Sequence, residues 1–591
     1  MKQIRRTTWL LLVLILIAAA AGCQTQAENS ATAVPPSTPT TETPENQPPQ
    51  TAEYNLGETT IVQERFPEDS NFRNMPVRLN GVIAAPASGG PYPVVVILHG
   101  THPGCPTNDT GHIDPWPCDP EVERANYRGF AYLAEALAAH GYVALSININ
   151  AENTFGFGEP VAGERLEQIV RLHLDALAAA AAGGTNDFGV ALDGRADVAR
   201  LAFIGHSRGA EMAAWLAENG RLASADGAVA YPIAAVLQVA PAISLFQPVT
   251  ATIPMGLVQA ACDGDVTDLI GQTFYENNRL DPAHADWATA VYLAQANHNQ
   301  FNTLLGNDPF GTRNRPDCET LLPPDVQRDF LARYALDFMT AVFSDDPATQ
   351  AAAFTRLGMD VTAPAPAALY GQPALVAARA PAANRQTLFV PRSEAELSTN
   401  LLGGTVTAVN AAATFCPEGY YTPDMLPGSE PCMRVNLTIP GQPATAVVSW
   451  SAPDAALRFA VPEEAGDLSA YTAVSLRAAL NPLSSLNTAD SPQQFSVQLT
   501  DQAGQTALVS VPPTEPALQF PAGIEEEDSF FPGGLFSGIV PLITLRLPLS
   551  SFTGVDLSQI REVALVFDQT PSGSLFIADL EWVQAATAGQ P

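Results

Sequence analysis

From Thr59 to about Phe343, apolar runs of strand length alternate with amphipathic segments of helix length, and that alternation restricts the region to βαβ units around a mostly parallel sheet. Strands are expected over Val77–Ala85, Val94–Leu98, Tyr142–Ile147, Val198–Ile204, Ile233–Val239, Met255–Ala260 and Ala290–Leu293. Helices are expected over Asn126–His140, Glu164–Ala182, Ala210–Glu218 and Pro324–Phe343. The expected class is α/β, an open sheet with covering helices.

Within this pattern, Gly205-His206-Ser207-Arg208-Gly209 stands between the apolar strand Leu201–Ile204 and a run of helix formers beginning at Ala210. A tight strand-to-helix turn lifts a serine hydroxyl out of the sheet, flanking glycines permit the close approach, and the helix points its positive end at the site. Ser207 is therefore the candidate nucleophile. His206 is expected to pack beneath it. The strand Val94–Leu98 runs into His99-Gly100-Thr101-His102-Pro103-Gly104. An oxyanion needs two backbone N–H groups, and these are assigned to Thr101 and to Arg208, the residue after the nucleophile. A metal on His99 and His102 is disfavoured because no nearby carboxylate completes a ligand set.

An acid and a base follow in chain order. Met255–Ala261 leads into Cys262-Asp263-Gly264-Asp265-Val266, where Asp263, three residues before a valine, is preferred and Asp265 is the alternative acid. The one not used as the acid is expected to form the turn. Beyond the next strand, Ala296-Asn297-His298-Asn299 supplies His298 as the base. A serine activated by histidine, with an acid fixing the tautomer, is acyl-transfer chemistry.

These residues resemble the α/β-hydrolase superfamily, and within it the dienelactone hydrolases, chlorophyllases and platelet-activating-factor acetylhydrolases. The resemblance rests on His99-Gly100, Gly205-His206-Ser207-Arg208-Gly209, Asp263-Gly264-Asp265 and Asn297-His298-Asn299, and it covers about half the chain. The His-Ser-Arg elbow looks most like chlorophyllase-type sequences, with Ala210 in place of a frequent third glycine. It implies carboxylic-ester hydrolysis through an acyl-enzyme without a cofactor or metal. Two alternatives stay open: a serine peptidase on the same fold, and a catalytically silent hydrolase fold that binds carbohydrate or a surface.

The amino terminus has an export layout, with Lys2, Arg5 and Arg6, an apolar run Trp9–Ile17, small residues to Gly22, and Cys23. The Ala-Ala-Gly-Cys ending looks like a bacterial lipobox, so Cys23 is the expected lipid anchor to the bilayer. The Thr/Pro/Glu-rich stretch after it cannot bury enough surface to fold and is expected to be a tether with a reach of roughly 30 Å. A net charge of −33, with Lys2 the only lysine, excludes a basic nucleic-acid footprint and leaves no lysine for catalysis in the mature chain. The other six of the seven cysteines are an even number in an exported chain, and local closure pairs Cys105 with Cys118, Cys262 with Cys318, and Cys416 with Cys432. The segment Thr101–Val122, with Trp116, and the segment Asn150–Glu164, with Phe155 and Phe157, are candidate walls of the site.

Past an Ala/Pro-rich stretch, alternation at Phe495–Thr500, Thr544–Leu549, Val563–Phe567 and Leu575–Trp582 suggests an antiparallel β-sandwich. It is similar to the galactose-binding-like jelly rolls of carbohydrate-binding modules. That likeness implies a carbohydrate partner, with Tyr420, Tyr421 and Trp450 as stacking candidates, although core aromatics are the favoured reading. The acidic run Glu525–Asp528 is expected to be a solvated loop. The expected organisation is a signal peptide at 1–23, a tether at 24–52, the α/β domain at 53–362, a linker at 363–385 and the sandwich at 386–591.

Overall fold

The apolar runs of the first half form the centre of a ten-stranded sheet. The structure is a computed structural model, described over residues 47–585 except 108–114, 156–160, 221, 244–251, 268, 282–283, 310–315, 418–443, 483 and 521–540. The strands are β1 (Gln50–Val62), β2 (Asn74–Ala85), β3 (Tyr92–Leu98), β4 (Val143–Ile147), β5 (Ala196–His206), β6 (Ile233–Val239), β7 (Met255–Ala260), β8 (Ala288–Leu293), β9 (Ala368–Leu369) and β10 (Gln372–Arg379). They lie in the order β1-β2-β4-β3-β5-β6-β7-β8-β10-β9. The stretch from β4 to β8 is parallel, and the antiparallel pairs are confined to its two flanks.

Parallel strands covered on both faces lose the period-two pattern of half-buried strands, which is why β4 and β7 are buried at every position. Successive residues of β5 feed opposite faces. Leu201 and Phe203 join a core with α3 (Val161–Ala181) and α4 (Arg208–Asn219), whereas Ala202 and Ile204 join one with α1 (Ala131–Ala138) and α6 (Pro324–Phe343). Fully buried side chains such as Phe203 and Phe338 each contribute about 1.5–3 kcal/mol by leaving water. The helix expected over Asn126–His140 is split into a 3₁₀ turn, Asn126–Phe130, and α1. At the turn Gly129 lies so close to the Asn302 side chain that a Cβ there would overlap it. Helix α3 stops where Gly183 takes φ +79°, a conformation open to glycine without strain. The remaining helices are α2 (Asn150–Phe155), α5 (Gln272–Leu280) and α7 (Pro347–Arg356).

The stretch 363–385, expected as a linker, carries β9 and β10 instead. β10 pairs with β8 from Ala374↔Leu293 to Arg379↔Ala288, so this segment extends the sheet. Pro373 is tolerated because its partner there is the two-residue strand β9 at the sheet's edge.

The described residues beyond β10 form two antiparallel sheets. Their strands are β11 (Arg385–Phe389), β12 (Val406–Val409), β13 (Ala411–Cys416), β14 (Thr445–Trp450), β15 (Ala455–Ala460), β16 (Ala473–Leu480), β17 (Ser496–Asp501), β18 (Thr506–Ser510), β19 (Ile543–Pro548), β20 (Ile560–Phe567) and β21 (Gly573–Val583). One sheet has the order β13-β14-β21-β16-β19 with β11 also on β21, and the other β12-β15-β20-β17-β18. Side chains of both enclose one core, in which Trp450 stacks on Phe567 at 4.3 Å between ring centres. Trp450 is therefore a core aromatic, unavailable for sugar stacking. Tyr420, Tyr421, Cys432 and Glu525–Asp528 lie outside the described residues, as do Cys23 and the tether up to residue 46.

The first sheet and the second part are joined by a buried charge network. Glu276 and Arg279 on α5 meet Arg477 on β16 and Asp579 on β21. Arg279 donates to Glu276 (2.6 Å) and Asp579 (2.9 Å), and Arg477 donates to Glu276 (2.6 Å) and Asp579 (3.2 Å). Residues from Gln47 onward form one compact unit. Among the described residues no helix is long and apolar enough to cross a membrane.

Candidate active site

Ser207 occupies the turn between β5 and α4 with φ 56° and ψ −126°, a region costing about 1–3 kcal/mol for a residue with a side chain. The turn is held by its own backbone. Ser207 N–H donates to Val239 O (2.9 Å), and its carbonyl accepts from Ala210 N–H (3.0 Å) and Ala242 N–H (3.3 Å). Both flanking glycines are required by space. A Cβ on Gly205 would overlap the Gly209 carbonyl and the Ala210 backbone, and one on Gly209 would overlap the carbonyls of Leu98 and His99 at the end of β3.

The loop after β3 is pressed against this turn, since a Cβ on Gly100 would fall 2.7 Å from Ser207 Cβ and 3.1 Å from His102 Nε2. His99 fixes the loop. Its Nδ1–H donates to the Gly100 carbonyl (2.8 Å) while Nε2 accepts from Ile149 N–H (3.0 Å), and burial lowers its pKa to about 4. Both ring nitrogens are thus committed, and no group of three or more potential metal ligands occurs among the described residues. The Thr101 hydroxyl donates to Asn153 Oδ1 (2.7 Å), whose amide donates to the Gly100 carbonyl (3.1 Å). Arg208 is the first residue of α4, where helical N–H groups project from the helix end.

The acid and base loops sit side by side. Asp263 Oδ2 accepts from His298 Nδ1–H at 2.8 Å, with both side chains buried. Asp263 Oδ1 accepts N–H bonds from Asp265 (2.9 Å) and Val266 (2.6 Å). The turn thus holds one carboxylate oxygen and leaves the other for the imidazole. Asp265 stands on the opposite side of the ring, its Oδ2 3.7 Å from His298 Nε2. Nε2 makes no hydrogen bond among the described residues, so none joins it to the Ser207 hydroxyl.

Burial would lower the His298 pKa, but Asp263, Asp265 and Asp308 outweigh it and raise the imidazole to about 9. His206, the residue before Ser207, is 1% exposed, and its ring lies 4.9 Å from that of His298. Its Nε2–H donates to the His298 carbonyl (3.0 Å), and burial, reinforced by the neighbouring His298 and His102, keeps it neutral.

Asp308 is a residue of this cluster that the sequence pattern did not reveal. It accepts N–H bonds from Gly264 (2.7 Å), His298 (3.0 Å) and Asn299 (2.8 Å), tying the acid loop to the base loop with one carboxylate. Burial, and then the charge of Asp263, raise its pKa to about 6. A second brace is the Cys262–Cys318 disulfide immediately before Asp263, and a third is the Cys105–Cys118 disulfide in the segment after the Gly100 loop. Cys416 is also disulfide-bonded.

Of the expected walls, Trp116 packs onto β2. Its indole N–H donates to Pro76 O (2.7 Å) and the Arg78 guanidinium lies 5.3 Å over its ring. The side chains of Phe155 and Phe157 lie outside the described residues. Glu152 on α2 and Arg165 on α3 form a buried two-bond pair (2.7 and 2.9 Å). No protein-family model matches the chain, and no curated protein sequence matches it.

Proposed function

We propose that this chain is an exported serine esterase of the α/β-hydrolase type, anchored by an acylated Cys23 and followed by a jelly-roll sandwich. The observation that carries the reading is the strained backbone of Ser207 on a strand-to-helix turn, the conformation by which such a turn lifts a serine hydroxyl out of the sheet. The hydrogen-bonded Asp263–His298 pair supports it. In the proposed reaction His298 Nε2 takes the proton of the Ser207 hydroxyl as Oγ bonds to the ester carbonyl carbon. The Thr101 and Arg208 N–H groups receive the oxyanion. The tetrahedral species expels the alcohol, which takes the proton from Nε2, and water then attacks the acyl-enzyme by the same route.

The sandwich is read here as a rigidly docked companion of the hydrolase part, supported by the buried network of Glu276, Arg279, Arg477 and Asp579. Any carbohydrate contact would use residues other than Trp450. Hydrolysis of a panel of nitrophenyl esters of increasing acyl length tests the reading. Wild type is expected to turn over at least one ester, and Ser207→Ala to lose about 10⁴-fold or more in kcat. Equal rates for the two proteins would refute the assignment of Ser207.

A further inference from the structure

His298 is bordered on both sides. Asp263 holds Nδ1 at 2.8 Å, and the second aspartate of the same loop, Asp265, lies 3.7 Å from Nε2, the nitrogen that has to receive the serine proton. A residue serving only the turn needs no carboxylate aimed at that nitrogen. The part of Asp265 that serves the turn is its backbone N–H, which is bonded to Asp263 Oδ1, so its side chain is left for another task.

We propose that Asp265 is a positioning residue on the reacting side of His298: it pairs with Nε2–H whenever the imidazole is protonated, and so sets the pH at which His298 becomes available as a base. The inference rests on the esterase reading above.

The charged and titratable groups around the ring fit this division. Asp263 and Asp265 face His298 from the loop after β7, Asp308 from the loop beyond His298, His206 from the end of β5, and His102 from the loop after β3. His206 is neutral, and burial lowers His102 to about 3, so neither competes as a cation. Burial raises the Asp265 pKa, and the charges of His298 and then Arg208 favour its charged form. Asp263 and Asp308 each accept three hydrogen bonds, whereas the Asp265 side chain is 31% exposed. It is the carboxylate of the three best able to move aside when substrate enters.

An opposite charge within about 4–6 Å stabilises the protonated form by one to three pKa units. Its removal therefore has two linked effects. Less of the histidine is protonated at a given pH, and the imidazolium formed in the transition state is less well stabilised.

The test is the pH dependence of fluorophosphonate labelling and of kcat/KM on a nitrophenyl ester, for wild type, Asp265→Asn and Asp265→Glu. For wild type the rate is expected to rise with pH through an inflection near 9, where His298 loses its proton. For Asp265→Asn the inflection is expected about one unit lower, with faster labelling than wild type on the acid side and a lower alkaline plateau, so that the curves cross. Asp265→Glu, which keeps the charge, is expected to retain the wild-type inflection. An unmoved inflection in Asp265→Asn, with the curve only scaled down, would overturn the proposal and leave Asp265 a turn residue. Failure of wild type to label at Ser207 would overturn the esterase reading and this proposal with it.

Discussion

Replacing Asp263 with asparagine is expected to lower kcat/KM by about four orders of magnitude while the protein stays folded. The geometry of the acid loop gives the reason. One side-chain oxygen is fixed by N–H bonds from Asp265 and Val266, and the other faces His298 Nδ1. An asparagine in this place must put its carbonyl on the two backbone donors, and its amide N–H₂ then points at Nδ1. A donor opposite Nδ1 forces the ring to present a lone pair there and to carry its proton on Nε2. The histidine would then hold the proton on the nitrogen that has to accept one. Ester turnover and fluorophosphonate labelling should fall together, with an unchanged circular dichroism spectrum. A loss smaller than about tenfold would show that Asp263 does not orient the base.

The second large effect concerns stability. Glu276→Ala is expected to reduce the unfolding free energy by about 3–5 kcal/mol, the cost of leaving buried charges without a partner. Glu276 accepts from both Arg279 and Arg477, and Asp579 alone would then face two buried guanidinium groups. Against a typical total of about 5–15 kcal/mol, such a loss is large, and urea unfolding would measure it. The same pair has a pH signature. Burial favours the neutral form of Glu276, but Arg477 and Arg279 outweigh it and hold its pKa below the usual carboxylate value. A depressed pKa stabilises the fold above the carboxylate's unfolded value, about 4.3, and that contribution fades as the pH falls through the folded value. Acid unfolding of wild type should accordingly show a proton-linked component that Glu276→Ala lacks.

The parts of the fold legible in the sequence are those with a local signal. The inner strands β3, β6 and β7 and the Leu201–Ile204 part of β5 are mainly apolar because both faces are covered, and the turn at Ser207 is announced by glycines whose absent side chains make room for other backbone. The place of Asp263 was legible because it follows closely on the apolar strand β7. What the pattern did not reveal depends on distant partners. β16 is buried at all eight positions yet contains Arg477, an unpromising core residue until Glu276, 201 positions away in sequence, neutralises it. β10 looks like a linker because alanine and proline dominate it, and only its pairing with β8 makes it a strand. Asp308 carries no motif at all. It acts by accepting backbone N–H groups, and any backbone can supply those. Trp450, a residue type suited to sugar stacking, has its ring inside the sandwich, as the favoured reading of a core aromatic expects.

The central claim is that Ser207 is a nucleophile activated by His298. Incubating the purified chain with a fluorophosphonate and locating the adduct by peptide mass spectrometry tests it most directly. The account predicts one phosphonylated residue, Ser207, with labelling abolished in Ser207→Ala and strongly slowed in His298→Ala. A well-folded wild-type protein that takes up no label, or takes it up elsewhere at the same rate in all three proteins, would contradict the account and favour a hydrolase-like fold that binds without catalysis.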